Sequence, residues 1–366
     1  MMQGSQPGEK IMSGCAISGI LNRKGHRFDG SDIIKSIALM HERSNGMGGG
    51  FAAYGIYPRH KDEYAFHMFY DDLEAKEDVE YFLNRHFSVS ASEEIPTRKT
   101  KNITNAPIIW RYFVKPDIQK LRTSELNTDE YVVRCVMRIN DEIQGAFVVS
   151  SGKNMGVFKG VGYPEDIGEF YRLDEYKAYL WTAHGRFPTN TPGWWGGAHP
   201  FTLLDWSIVH NGEISSYGAN QRYIEMFGYK CTMMTDTEVI TYLFDLLLRK
   251  HKLPLEIAVK ALAAPLWDEI EKMDDKEQKL LKAVRLIYGN ALLNGPFSII
   301  LGHKNGFLAL NDRIKLRPLV VAEDQERIFV ASEESAIREI CPQPDTVWTP
   351  RGGEPVIALM EGGDEE

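Results

Sequence analysis

Cysteine is scarce in this 366-residue chain: Cys15, Cys135, Cys231 and Cys341 stand far apart in sequence. No two have the short spacing of a zinc or iron–sulfur site, and a chain of this length needs no disulfide framework. Positive charge is also in deficit, with 42 Lys and Arg against 51 Asp and Glu and a formal net charge of −9. A surface of that sign repels phosphate backbones and acidic membranes, so neither nucleic acid nor membrane is an expected partner. No apolar run approaches the roughly 18 residues that a spanning helix needs. The opening MMQGSQPGEKIMSG lacks the apolar stretch of a secretory signal, which points to a cytoplasmic location. P-loop, HExxH and GxGxxG patterns are missing as well, so no cofactor and no metal are expected.

What is present is ordinary globular composition, 43% hydrophobic and 25% charged. Strand-like runs dominate the first half: Cys15 to Leu21, Phe51 to Tyr57, Glu63 to Tyr70, Ile108 to Val114, Ala146 to Ser150, Met155 to Gly160, Ala178 to Ala183 and Trp206 to Val209. One early helix is expected over Asp32 to Glu42. Between residues 235 and 290 the period changes to helical. Thr235 with Glu238 reads as a capping box, Pro254 opens an amphipathic segment through Ile270, and MDDKEQK reads as a connection or an exposed helix start. Strands return at Phe297 to Leu301, Phe307 to Leu310, Leu319 to Ala322 and Arg327 to Ala331. Such an order suits sheets with helices packed on them better than a repeating βαβ barrel.

Polar residues concentrate in HGRFPTNTPGWWGGAHPF, from His184 to Phe201, and in HNGEI, from His210 to Ile214. Buried polar groups need partners, so so dense a cluster reads as a site. Arg186, at a strand end, could hold a carboxylate through two parallel hydrogen bonds or serve a structural ion pair. Asn211–Gly212 is a turn signal first; its sharper reading is an oxyanion hole made of the Asn211 amide and the Gly212 N–H. Asp236 falls in the first turn of a helix, where it could complement the dipole or hold a substrate ammonium.

An isolated strand cysteine is usually a small buried hydrophobe. Cys15, however, opens CAISGI directly after a polar leader that ends in Ser13–Gly14. Were residues 1–14 removed, thiol and α-amine would share one residue. An α-amine, with an ordinary pKa of about 7.7 to 8.0, can act as general base for its own side chain.

Together CAISGI, HGRFPTNT, AHPF, HNGEI, the TDTE at 235 to 238, DRIKLRPL and ASEE resemble, in order, the class II glutamine amidotransferase domain, and most closely that of glutamate synthase. The resemblance implies an α+β fold of the N-terminal-nucleophile hydrolases, a four-layer αββα sandwich of two mainly antiparallel sheets. It further implies a leader or propeptide at 1–14, one amidotransferase domain at 15–361 and an acidic tail at 362–366. Cys15 would be the nucleophile, Asn211 and Gly212 the oxyanion hole, Arg186 the holder of the glutamine α-carboxylate and Asp236 of its α-ammonium. Thr189, Asn190 and His199 would line the pocket.

Three positions depart from the family pattern: Ala16 and Lys315 stand where Gly is usual, and Pro188 where Ser is usual. With nearly all of the chain in the amidotransferase unit, the resemblance implies L-glutamine as substrate and a separate synthase subunit as receiver of ammonia, in a glutamate-synthase-like or N-methylglutamate-synthase-like hetero-oligomer. Two alternatives stand beside it: an unprocessed, non-catalytic regulatory or structural homologue, and an N-terminal-nucleophile amidase acting on another amide.

Overall fold

The structure is a computed structural model, and it describes residues 14–188 and 193–362. Its largest sheet has seven strands. Ala16–Asn22 lies at the middle, paired antiparallel with Leu180–Gly185 on one side and Arg327–Ala331 on the other. A second, five-stranded antiparallel sheet runs Phe201–Leu203, Trp206–Gly212, Phe297–His303, Gly306–Asn311 and Val356–Leu359.

Alternation along the second sheet assigns its two faces. Val209, Ile300 and Ala309 share a buried cluster with Ile17, Ile20 and Val330 of the first sheet. Their neighbours Ile208, Ile299 and Leu310 cluster instead with Val239, Ile240 and Leu243, which lie on the helix Asp236–Phe244. A strand shows successive residues to opposite faces, so one face of this sheet packs on a sheet and the other on helices. The helices Ser31–Leu39, Pro164–Phe170 and Glu334–Arg338 cover the outer face of the seven-stranded sheet. Helix, sheet, sheet and helix make the expected four layers.

Three further expected strands, with a fourth and two helices that the periodicity did not suggest, form a separate layer. A third, four-stranded sheet, Phe87–Glu94, Ile108–Pro116, Tyr64–Tyr70 and Ala146–Ser150, carries the helices Leu73–His86 and Thr128–Glu142. The segment from Pro254 is two helices rather than one, Leu255–Leu262 and Trp267–Ile270, parted around Pro265, which cannot donate to a helix. MDDKEQK turns out to lead into the long helix Asp275–Tyr288, with Asp274 capping the N–H groups of Lys276 and Glu277. Among the described residues, no helix is long and apolar enough to cross a membrane, and all four cysteines are free.

Candidate functional site

The two central sheets meet at a cleft of about 310 Å³ lined by Gly14, Cys15, Arg186, Pro188, His199, Asn211, Gly212, Asp236 and Arg317, among others. Cys15 sits at the entrance to the central strand Ala16–Asn22. Its sulfur accepts the backbone N–H of Phe187 at 3.3 Å. Burial pushes the Cys15 thiol up; the Phe187 hydrogen bond and the charges of Arg186 and Arg317 oppose this, while Asp236 adds to it.

The neighbouring chain is clamped on several sides. Ile17 donates its N–H to Ser332 Oγ at 3.1 Å, and Ser332 returns its own N–H to Ile17 O at 3.0 Å. Glu333 holds Arg43 at 2.9 Å, and Arg43 Nε reaches Cys15 O at 3.4 Å. The ASEE segment thereby acquires a physical task, fixing the strand that presents the sulfur. The Ala16 methyl has room opposite its register partner Gly185: even a Cβ there would stand 3.7 Å from it, an ordinary contact.

Arg186 leaves the strand Leu180–Gly185 beside Cys15, 5% exposed, its carbonyl accepting from Asn45 N and Ser44 Oγ. Burial lowers its pKa, opposed by Cys15 and Asp236. Asn211 and Gly212 end the strand Trp206–Gly212. Gly212 has φ +151°, and a Cβ on it would come within 2.0 Å of Pro296 O, so only glycine fits. Asn211 is fully buried, yet neither its Oδ1 nor its Nδ2 has a partner among the described residues.

Asp236 opens its helix, and Thr235 caps that helix by accepting from Thr237 N. The reciprocal half of the expected capping box is not formed. Glu238 instead accepts from Thr232 N and Met233 N at 3.0 Å each, which fastens the loop before the helix. Asp236 Oδ2 accepts from Ile214 N at 2.9 Å. Burial raises the Asp236 pKa, but His210, the Ile214 N–H and Thr237 together hold it below the usual carboxylate range.

Behind Asp236 lies a buried histidine group that sequence reading had not joined. His199 Nε2 and His210 Nδ1 both meet Thr237 Oγ1, at 2.6 and 3.1 Å, and His184 stacks on His199 with ring centroids 4.2 Å apart. Burial takes His184 down to about 3 and His199 well below its ordinary range, so both rings are neutral packing groups. Among the described residues, no group of three or more His, Cys, Asp or Glu is arranged to hold a metal.

The structure therefore brings Cys15, Arg186, His199, Asn211, Gly212 and Asp236 to one cleft. Thr189 and Asn190 lie outside the described residues, as does most of the 1–14 leader. Arg43, His184, His210, Thr237, Arg317 and Glu333 were not singled out by the sequence; all but Arg43 lie in motifs that it flagged, HGRFPTNT, HNGEI, TDTE, DRIKLRPL and ASEE. At the turn where Lys315 replaces the usual glycine, Lys315 adopts φ +53° and donates its N–H to Asp312 O at 3.0 Å. Asp312 also accepts from Ile314 N and Leu316 N, so side-chain caps hold the turn without glycine.

Comparison with known proteins gives an independent result. The family model "Glutamine amidotransferases class-II" matches residues 18–347. A protein of Archaeoglobus fulgidus is 54% identical over 361 residues, spanning 98% of this chain and 95% of its own. A Methanothermobacter thermautotrophicus protein, proposed by its name to be a glutamine amidotransferase, is 25% identical over 335 residues, 89% of this chain and 93% of its own. Among solved structures, the glutamine phosphoribosylpyrophosphate amidotransferase of B. subtilis aligns at 14% identity with a TM-score of 0.46, over 93% of this chain and 46% of that one.

Proposed function

The chain belongs to the class II glutamine amidotransferases, and from that premise we propose that it hydrolyses the side-chain amide of L-glutamine at Cys15 and delivers the ammonia to a separate synthase subunit. The observation that carries this reading is the convergence of Cys15, Arg186, Asn211, Gly212 and Asp236 on one small cleft. The cleft lies at the lower end of small-molecule pocket sizes, suited to an amino acid.

The roles follow from the chemistry of each group. With residues 1–14 removed, the Cys15 α-amine takes the thiol proton and the sulfur attacks the amide carbon of glutamine. The oxygen that gains the charge is stabilised by the Asn211 amide and the Gly212 N–H. The α-ammonium returns its proton to the leaving nitrogen, ammonia departs, and a γ-glutamyl thioester remains on Cys15. Water, deprotonated by the same amine, then attacks the thioester; glutamate leaves and the thiol is restored. Arg186 holds the α-carboxylate through its planar fork, and Asp236, kept ionised by its neighbours, holds the α-ammonium. His199 lines the same pocket.

One feature supports a partner subunit. Met234, Ile314 and Leu316 stand largely exposed, Met234 on the cleft wall and the other two just before Arg317. Exposed apolar side chains beside residues of a site suit a protein contact. Stoichiometric release of glutamate and ammonia from glutamine by the purified protein tests the activity. Retention of all activity by Cys15→Ala would refute it.

A further inference from the structure

Asn211, Ser298 and Asn311 are direct register partners on three adjacent strands. All three are fully buried. Strand alternation puts them on the same face as Val209, Ile300 and Ala309, the face turned to the seven-stranded sheet. The inner surface thus changes, within two residues, from an apolar row to a polar one, and that polar row ends at the cleft beneath Cys15.

Four atoms of the row have no partner among the described residues: Asn211 Oδ1 and Nδ2, Ser298 Oγ and Asn311 Oδ1. Only Asn311 Nδ2 is bound, donating to Arg317 O at 2.8 Å. A buried polar group left unsatisfied is costly, so three such side chains aligned across a sheet call for a task beyond filling space. Directly opposed residues on antiparallel strands have Cβ atoms about 4.5–5.5 Å apart, within hydrogen-bond reach for side chains of this length.

The Asn211 amide has two ends, and only one serves an oxyanion. Its Oδ1 stands 3.6 Å from the place a Cβ on Gly14 would take, next to the cysteine. For Nδ2 to face the substrate carbonyl, the amide must turn and carry Oδ1 into the row, where an O–H donor has to receive it. Ser298 is the hydroxyl at that register position. Asn311 lies one strand further away, on the far side of Ser298, and its Nδ2 already donates to Arg317 O, so Ser298 is the nearer donor.

We propose that Ser298 is a positioning residue, whose hydroxyl donates to Asn211 Oδ1 and so fixes the amide with its N–H₂ toward the Cys15 sulfur; the inference rests on the reading of Asn211 as an oxyanion donor. The α-carboxylate and α-ammonium contacts belong to Arg186 and Asp236. Ser298 therefore acts on the transition state and leaves glutamine binding alone.

The test is a double-mutant cycle of Ser298→Ala and Asn211→Ala in glutamine hydrolysis, with thermal unfolding of each variant. Ser298→Ala is expected to lower kcat about tenfold with KM within twofold of wild type. In the Asn211→Ala background the same change should have no further effect. Full kcat in Ser298→Ala, a raised KM with kcat intact, or an equal tenfold loss in both backgrounds would each overturn the proposal. A wild-type protein that releases no ammonia from glutamine refutes the proposed function itself, and the inference with it. The two failures are told apart by the wild type alone.

Discussion

Phe187 donates its backbone N–H to the Cys15 sulfur across 3.3 Å, joining the residue after Arg186 to the candidate nucleophile. The exit of one strand therefore places a hydrogen-bond donor on the sulfur and a guanidinium beside it, while burial works against the thiolate. On the proposed reading the sulfur serves reactivity rather than packing. Cys15→Ala is expected to reduce glutamine hydrolysis by about 10⁴-fold or more and to leave the thermal midpoint nearly unchanged. Steady-state kinetics with a thermal melt checks both halves.

The two proposed oxyanion donors should separate under mutation. Asn211→Ala removes an amide that has no partner among the described residues, so it costs on the order of 10² to 10³ in kcat with little loss of stability. Gly212→Ala must drive a Cβ into Pro296 O and distort the pairing with Phe297. It should lose both activity and several degrees of thermal midpoint. Equal melting temperatures for the two variants would contradict this account of Gly212.

Arg186→Lys keeps the charge and loses the fork. A buried charged hydrogen bond contributes about 1.5–3 kcal/mol, so KM for glutamine should rise roughly 10- to 100-fold while kcat changes less. A substrate lacking the α-carboxylate should be indifferent to the change. Comparing glutamine with a simple acylamide on both proteins decides the matter, and equal losses on the two substrates would remove Arg186 from substrate binding.

Stability should fall with acid before the carboxylates titrate. Burial holds His67 down to about 3, opposed by its bond to Val157 O and assisted by Arg111; His184 is held down in the same way. An unfolded histidine binds its proton near pH 6.5, which these native ones refuse. Each therefore contributes stability that is complete above about pH 6.5 and is lost as pH falls toward 3. The loss is about 1.4 kcal/mol per pH unit per histidine. Urea unfolding of wild type and His67→Gln between pH 6.5 and 5 should show the slope reduced by one such share. Parallel lines would count against it.

Much of the site was legible because its residues come in short, polar, glycine-containing strings that no core strand needs. Arg186, Asn211 and Gly212 were identifiable in this way, Cys15 by its place directly after a polar leader, and Asp236 by its place in the first turn of a helix. The central strands were legible too, since burial on both faces makes them continuously apolar, as in AISGIL and FSIIL. The third sheet was legible only in part: Tyr64–Tyr70, Ile108–Pro116 and Ala146–Ser150 were expected as strands, but their edge strand and two helices were not. Phe87–Glu94 alternates only small or single apolar residues with Ser and Glu, a half-exposed strand with a weak pattern. Thr128–Glu142 mixes a helical apolar stripe with Val132, Val133 and Val136, which favour strands; packing of Val132, Val136 and Ile139 decided for helix. The capping box failed because Glu238 finds better partners in the Thr232 and Met233 N–H groups. Ser298 and Asn311 carry no sequence signal; only strand register aligns them with Asn211.

The central claim is that Cys15 becomes the first residue of the working protein, and intact mass spectrometry of a preparation assayed in parallel for ammonia release addresses it most directly. The account predicts that glutaminase activity rises in proportion to the fraction whose mass corresponds to a chain beginning at Cys15. Full activity in a preparation that uniformly retains the residues before Cys15 would contradict it.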